Sequence, residues 1–294
     1  MSLGDGRRPN RARPAAFLSA GIILITLVII GLLFAPLWLP WVPGGDTALI
    51  HFERSQRRLR ADLGLPMPGE PDLQRFSQRL AERSLMPGAP VLIRIFKKEF
   101  ELELWMQREG VFHRFAIYPI CRWSGRLGPK LKQGDQQAPE GFYTVDASAL
   151  NPRSRWYRSF NLGFPNAFDR ANGRTGSLIM VHGGCGSIGC FAMTNAQMDE
   201  IWRLVTAALG GGQQRFQVQV YPFRMSDEAI ARYATHPEIA FWKNLKAGSD
   251  LFEATLLPPK VTVCKGRYRF EPGAPGSAGI SPVEERCPAA DAKS

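Results

Sequence analysis

The stretch IMVHGGCGSIGCFAMT, residues 179–194, is the most informative part of the chain. It begins as an apolar β-like run and continues as a glycine-rich loop that contains one His, two Cys and one Ser. It ends at Thr194, which can cap a helix predicted over Asn195–Leu209, and Gln197 completes a T-x-x-Q capping box. The pattern therefore predicts a strand, a loop and a capped helix in direct succession, with the reactive side chains in the loop.

Cys190 has the surroundings expected of a thiolate nucleophile. His182 lies upstream in the same loop and can act as the base that such a nucleophile needs. Backbone N–H groups around Gly189 can stabilise an oxyanion, and we expect the following helix to begin close enough for its dipole to favour the thiolate. Ser187 could orient His182, donate to a substrate, or only stabilise the turn.

Two other interpretations of the loop stay open on the residues alone. His182, Cys185 and Cys190 could be three zinc ligands, although the chain has no C-x-x-C pair. The loop could also be a structural glycine turn around a buried Cys. We favour the nucleophile and predict no metal.

The five cysteines are an odd number, so at least one thiol stays unpaired in an oxidising compartment. We expect Cys185 to be structural and Cys121 to be a small buried packing residue. Cys264 and Cys287 would form a disulfide outside the cytoplasm, or Cys287 would stay free in a flexible tail.

The rest of the chain predicts a mainly β protein with flanking helices, an α+β class with a β-sandwich-like core. The apolar spacing of three and four residues predicts two helices between Thr47 and Leu85, separated by a Pro/Gly cluster at 65–69. Period-two runs predict strands, and helices and two further strands follow Pro222. The six predicted strands before Pro222 are Val91–Phe96, Glu101–Trp105, Val111–Ile120, Gly141–Val145, Leu178–Val181 and Phe216–Tyr221, and the later elements are helices Ser226–Thr235 and Pro237–Lys246 with strands Lys260–Cys264 and Tyr268–Phe270.

The N-terminal segment predicts a single membrane anchor. An Arg-rich head over 1–13 precedes residues 14–42, which carry no charge and include the apolar run AFLSAGIILITLVIIGLLF. A cleaved signal peptide or a buried core helix would be the alternatives, but the apolar core is long and no convincing cleavage site follows. By the positive-inside rule the remainder of the chain lies outside the cytoplasm.

The net charge indicates an anionic partner. The chain of 294 residues has 37 Lys and Arg against 26 Asp and Glu, which gives a net charge of +11. Nucleic acid, a membrane surface or an acidic polymer would fit this charge. Because the predicted topology places the domain outside the cytoplasm, we exclude nucleic acid as a partner.

Four motifs in order resemble one known family. They are His182-Gly183 with Ser187-x-Gly-Cys190 and a following apolar residue, the stretch YPICRWSG at 118–125 with LGPKLKQGD at 127–135, APEGFY at 138–143, and FNLGFPN at 160–166. Together they resemble the L,D-transpeptidase (YkuD-like) catalytic domain in its YafK-type subgroup. The resemblance covers roughly residues 89 to 265.

The resemblance implies a cysteine acyl-enzyme mechanism without a cofactor, in which Cys190 is the nucleophile and His182 the proton acceptor. It implies peptidoglycan stem peptides as partners, whose carboxylates Arg122, Lys130 and Lys132 could bind. The sequence departs from the broader family at Ile188, where a His is usual, and at Ala192, where Arg or Asn is usual. The spacing from His to Cys is also shorter than in most members.

We therefore expect a peptidoglycan L,D-transpeptidase in the inner membrane, single-pass, with its catalytic domain in the periplasm. The expected divisions are a basic head (1–13), an anchor (14–42), a helical linker region (43–88), the catalytic domain (89–223), a helical and β extension (224–270) and a disordered tail (271–294). A peptidoglycan amidase of the same fold would use the same residues, because only the second acceptor differs. A non-catalytic peptidoglycan-binding scaffold is the alternative of another class.

Overall fold

The structure is a computed structural model that describes residues 23–28, 30–31, 34, 45–275 and 280–287. The chain divides into two compact units, residues 1–52 and 53–294. In the first unit, residues 23–28 and 30–31 are helical and a helix begins at Gly45. The predicted basic head and most of the predicted anchor, 14–42, lie outside the described residues. Within the described part of the chain, no helix combines the length and apolarity needed to cross a bilayer.

The helices follow the predicted apolar spacing, with one clear difference in length. The two predicted N-terminal helices are present, and the Pro/Gly cluster and a short 3-10 turn at Leu73–Arg75 separate them. The last helix continues to Thr255, beyond the predicted end at Lys246, because Gly248, Ser249 and Phe252 prolong its buried stripe. The α-helices in the described residues are α1 (Gly45–Asp62), α2 (Phe76–Glu82), α3 (Ala167–Ala171), α4 (Asn195–Gly210), α5 (Asp227–Arg232) and α6 (Ile239–Thr255).

The strands of the described residues form three sheets, which confirms the predicted α+β class. Their bounds are β1 (Val91–Phe96), β2 (Glu101–Arg108), β3 (Val111–Pro119), β4 (Gly141–Asp146), β5 (Leu150–Asn151), β6 (Ser159–Asn161), β7 (Met180–His182), β8 (Phe191–Ala192), β9 (Arg215–Tyr221), β10 (Lys260–Cys264), β11 (Arg267–Glu271) and β12 (Glu284–Glu285). The strand orders are β3-β2-β1-β9-β4, β5-β6-β7-β8 and β11-β10-β12.

The five-stranded sheet carries the core. Its central strand β1 is buried at every position, and α4 packs against it. Even the Arg94 in this strand is buried, and its guanidinium donates to Ser249 at 3.0 Å and to Glu253 at 2.5 Å on α6. Because a buried cation needs such partners, β1 and α6 are held in one arrangement.

The four-stranded sheet carries the glycine-rich loop. β6 and β7 pair antiparallel, and β7 and β8 pair parallel, with Val181 opposite Phe191 and His182 opposite Ala192. An isolated antiparallel bridge joins Ala192 to Arg122 on the next segment. Strands β5, β6 and β8 have only two or three residues, which is too short for a period-two pattern to predict them.

The C-terminal tail differs from the predicted disorder over residues 280–287. Glu284–Glu285 form β12, which pairs parallel with β10, and Cys287 is bonded to Cys264. Residues 276–279 and 288–294 of the predicted tail lie outside the described residues. The disulfide confirms one of the two alternatives expected for Cys287. The pairing of β12 with β10 was not predicted, because the composition of the tail is polar and Pro/Gly-rich.

Candidate active site

The glycine-rich loop joins β7 to β8 and ends at Cys190, directly before β8. Two glycines are required by this path. A Cβ on Gly183 would lie 2.6 Å from Asn195 Oδ1 and 3.0 Å from Tyr157 Cδ1, and Gly189 has a φ of +138°. A side chain at the first position would force Asn195 and Tyr157 to shift, and one at the second position is disfavoured by the backbone conformation. The loop therefore lies close to α4 while it turns back to start β8.

The parallel register places Cys190 and His182 on one face of the β7–β8 pair. Because His182 lies opposite Ala192, the register continues backward to Met180 opposite Cys190. The Met180 N–H donates to Cys190 Sγ at 3.4 Å, in agreement with that extension. Residues two apart on a strand point to the same face, so the predicted nucleophile and base are diagonal neighbours.

The imidazole of His182 is buried and its tautomer is determined by a backbone carbonyl. Nδ1 lies 2.5 Å from Gly183 O, which can only accept, so Nδ1 carries the hydrogen. The remaining nitrogen, Nε2, is then an acceptor when the ring is neutral. Burial lowers the pKa of His182 below its ordinary value of 6.5, although the Gly183 carbonyl opposes this shift. The ring is therefore neutral at pH 7 and can take a proton.

The thiol of Cys190 is partly exposed and is the free cysteine among the five, all of which lie in the described residues. Burial raises its pKa above the ordinary value of 9.0, while the Met180 N–H and the positive charge of Lys130 lower it. The expected lowering of the thiol pKa by the helix dipole does not apply. β8 separates Cys190 from α4, which begins at Asn195. A helix dipole acts over about one turn only. The resting pair is therefore a thiol and a neutral imidazole.

Ser187 holds the end of the loop. Its hydroxyl donates to Cys190 O at 2.6 Å and accepts from the Gly189 N–H at 3.3 Å. Ser124 Oγ lies 3.4 Å from Ser187 Oγ and connects the loop to the segment after β3. Of the roles considered for Ser187, these contacts favour the stabilisation of the turn.

The glycine-rich loop carries a disulfide, between Cys121 and Cys185, that the sequence did not predict. Cys121, expected as a packing residue, is buried and bonded to Cys185. The Cys121 N–H donates to Ala192 O at 2.9 Å, and the Cys185 N–H donates to Met193 O at 3.3 Å. The disulfide thus fastens the loop to the segment after β3, and the backbone of that segment is hydrogen-bonded to β8. It also removes Cys185 as a thiolate ligand, which argues against the zinc interpretation.

We expect that removal of this disulfide lowers both stability and turnover. In the chain-entropy model, a crosslink with a sequence separation of 64 contributes roughly 4 kcal/mol. The paired change Cys121→Ser with Cys185→Ser should lower Tm and reduce kcat/KM about tenfold, because the loop around Cys190 loses a constraint. The measurements are calorimetry and donor acylation rates.

The matched control is Cys264→Ser with Cys287→Ser, which removes the disulfide between β10 and the C-terminal segment. This control should lower Tm and leave kcat/KM within about twofold of the wild type. Full turnover in the Cys121 and Cys185 variant would refute the positioning role of that disulfide.

The three cations proposed to bind substrate have different positions. Arg122 pairs with Ala192 through two backbone hydrogen bonds of 2.8 and 3.1 Å, so it lies in the same cross-strand row as His182. Lys130 is buried, donates to Asp135 and to Lys132 O, and acts on Cys190 through its charge. Lys132 is exposed, and no described contact joins its side chain to Cys190 or His182. Arg122 is therefore the cation best placed for a substrate.

Trp156 is a neighbour of the site that sequence reasoning missed. Its ring centroid lies 6.0 Å from that of His182, and the ring also lies over Gly184 and Gly186. The adjacent Tyr157 donates to Asp199 on α4 at 2.8 Å. No local signal marks Trp156, because it reaches the loop only through the folding of the segment between β5 and β6.

Comparisons with known proteins agree with this geometry. The model of the L,D-transpeptidase catalytic domain, YkuD, matches residues 91–221, which span β1 to β9 and include the whole loop. A protein of Escherichia coli (strain K12) named "Putative L,D-transpeptidase YafK" is 50% identical over 181 residues, which cover 62% of this chain and 74% of that protein. The chain belongs to the L,D-transpeptidase (YkuD) family.

Two solved structures are more distant. The helical cell shape determining protein Pgp2 from Campylobacter jejuni is 20% identical, with a TM-score of 0.38 over 61% of this chain and 67% of that chain. Bd1075 from Bdellovibrio bacteriovorus is 18% identical, with a TM-score of 0.32 over 55% of this chain and 76% of that chain. Membership of the L,D-transpeptidase family itself supports an enzyme of the transpeptidase type with a peptidoglycan-related function.

Proposed function

We propose that this L,D-transpeptidase family member acts on peptidoglycan stem peptides through an acyl-enzyme on Cys190. The observation that carries the proposal is the placement of a free thiol and an acceptor imidazole on one face of the β7–β8 pair. The thiol is partly exposed, so a peptide can reach it. The reaction follows from these groups without a cofactor.

In the acylation step, Cys190 Sγ attacks the carbonyl carbon of a diaminopimelate-type residue, in the amide that joins this residue to the next one of the stem peptide. Because the resting pair is neutral, the thiol proton passes to His182 Nε2 as the S–C bond forms. Backbone N–H groups at Gly189 and Cys190 stabilise the negative oxygen, and the Gly189 N–H exchanges its 3.3 Å bond to Ser187 for this role. The amide C–N bond then breaks, and the leaving amine takes the proton from His182.

In the second step, an acceptor amine or water attacks the thioester. His182 removes the proton of the incoming group and returns it to the departing Cys190 sulfur. An amine acceptor gives a new crosslink or linkage, whereas water gives hydrolysis, as in an amidase. The residues are the same in both cases, so the acceptor decides between the transpeptidase and the amidase.

Mass spectrometry of muropeptides tests this function. The purified full-length protein, in detergent, is incubated with isolated peptidoglycan, and the products are compared with those of Cys190→Ser. New crosslinked products that depend on Cys190 would identify a transpeptidase, and products shortened by hydrolysis would identify the amidase. Binding to peptidoglycan with no product from the wild type would indicate a non-catalytic scaffold.

We also propose that residues 14–42 anchor the protein in the inner membrane and that the catalytic domain lies in the periplasm. The uncharged apolar run and the Arg-rich head support this proposal. The two disulfides in the domain also support it, because disulfides persist in oxidising compartments.

Of two reporters fused after Pro43, we expect activity only from the one that functions in the periplasm. We also expect the mature chain to retain residue 14. The measurements are paired fusions to a periplasmic and a cytoplasmic reporter, together with the mass of the mature N-terminus. A mature chain that begins near residue 45 would refute the anchor but not the export. Activity of the cytoplasmic reporter would refute both.

A further inference from the structure

Two arginines, Arg54 and Arg122, lie at the segment 122–125 beside the candidate site and are called the arginine pair below. Arg54 of α1 lies with its guanidinium carbon 4.2 Å from the centroid of the Trp123 ring, and its Nη2 donates to Gly125 O at 2.7 Å. Arg122 directly precedes Trp123 in the chain. Arg54 is thereby held against the segment 122–125.

The positive charges of Arg54 and Arg122 have fewer compensating contacts than those of the neighbouring arginines. The ion pairs among the described residues include neither Arg54 nor Arg122, and the Nε atom of each is buried without a hydrogen-bond partner. In contrast, the neighbouring Arg57 donates to Glu53 at 3.2 Å and to Ile120 O at 3.1 Å. Burial, and then the charge of Arg122, lower the pKa of Arg54 to about 10. Desolvation and mutual repulsion both destabilise the two positive charges. A bound anion would stabilise them, because it offsets both effects.

The segment that carries Arg122 is connected to the candidate site by two independent contacts. Arg122 lies opposite Ala192, and Ala192 lies opposite His182, so Arg122 and His182 stand in one cross-strand row with only a methyl side chain between them. Two strand spacings correspond to about 10 Å between their Cα atoms. The hydroxyl of Ser124, in the same segment, approaches Ser187 at 3.4 Å. A peptide that reaches Cys190 therefore extends within reach of Arg122, which is partly exposed.

We propose that Arg122 and Arg54 form a subsite that binds a free carboxylate of the donor stem peptide. This inference rests on the proposed function and adds Arg54, from a helix outside the span matched by the family model, to the substrate site. The planar guanidinium groups suit a carboxylate because each offers parallel N–H donors. The carboxylate would supply a negative charge that no ion pair among the described residues gives to either arginine.

Donor kinetics test the subsite. The donor is a stem tetrapeptide, compared with analogues in which one free carboxylate at a time is converted to the amide, and the readout is acylation of Cys190 by intact mass against time. For the full-length wild type, one of the amide analogues should raise KM about 10- to 100-fold with little change in kcat, the effect of a lost hydrogen bond to a charged group. Arg54→Gln and Arg122→Gln should each raise KM for the unmodified donor by a similar factor. In both variants, KM for the donor and KM for that amide analogue should become equal.

The control is Arg58→Gln, which removes one positive charge from the exposed side of α1, where Arg58 pairs with Asp62 at 2.9 Å. It should leave KM unchanged, and Tm values confirm that each variant is folded. If Arg54→Gln is unfolded, Arg122→Gln alone carries the test. Wild-type discrimination that persists unchanged in the folded variants would overturn the subsite while leaving the proposed function intact. Failure of the wild type to acylate with any donor would instead overturn the proposed function.

Discussion

Cys190→Ser is expected to abolish acyl transfer, with a loss of at least about 10⁴-fold in kcat. Oxygen replaces sulfur with little change of volume at a partly exposed position, so the fold and Tm should be almost unchanged. The hydroxyl ionises far less readily than the thiol, and one buried neutral imidazole cannot compensate for that difference. The measurement is acylation by a carbapenem or by a tetrapeptide donor, followed by intact mass.

Peptide mapping of the wild-type adduct supplies the control for this prediction. The adduct should lie on Cys190, because the other four cysteines are bonded in pairs and offer no thiolate. An adduct on another residue, or full turnover by Cys190→Ser, would refute the assignment of the nucleophile. Loss of the adduct together with a large fall in Tm would instead indicate a structural role.

His182→Ala is expected to lower kcat/KM by about 10²- to 10⁴-fold, the usual contribution of a general base. The pH profile should change as well. In the wild type, His182 must be neutral to accept the proton, and burial lowers its pKa below 6.5, so activity should rise in acid and level off by neutral pH. In the variant the thiol must ionise without a base, and burial raises its pKa above 9.0, so the rate should continue to rise in alkali.

The control for this prediction is His113→Ala, which removes a histidine from β3, opposite Met106 of β2. It should retain the wild-type profile. A His182→Ala variant that levels off at neutral pH like the wild type would show that another group is the base. This comparison separates a chemical role from a structural one. Misfolding would lower the rate at every pH but would not change the pH at which the rate levels off.

Local sequence patterns predicted the helices and strands that depend on residue types and hydrogen bonds close together in the chain. The run Val91–Phe96 was predicted from its composition and forms β1 with the same bounds. The capping box of Thr194 and Gln197 is present at the start of α4, since both hydrogen bonds are made within four residues of chain. The order of the motifs also identified the family, because it depends on residue types and spacing alone.

Tertiary structure decided how the reactive residues meet. His182 and Cys190 are eight positions apart in the chain and come together only through the parallel pairing of β7 with β8, and β8 is too short to show a period of its own. The bond between Cys121 and Cys185 spans 64 residues, and spacing does not specify which cysteines pair.

Arg54 illustrates the same division most clearly. In the sequence it is one of several arginines in an amphipathic helix, and the pattern indicates only a solvated face. In the structure it is buried, its guanidinium lies over the Trp123 ring, and burial and the charge of Arg122 lower its pKa. The sequence by itself therefore determined the family, the main elements and the cysteine that we propose as the nucleophile. Only the tertiary structure decided which distant groups surround that thiol, because such contacts depend on long-range packing, which leaves no periodic trace in the chain.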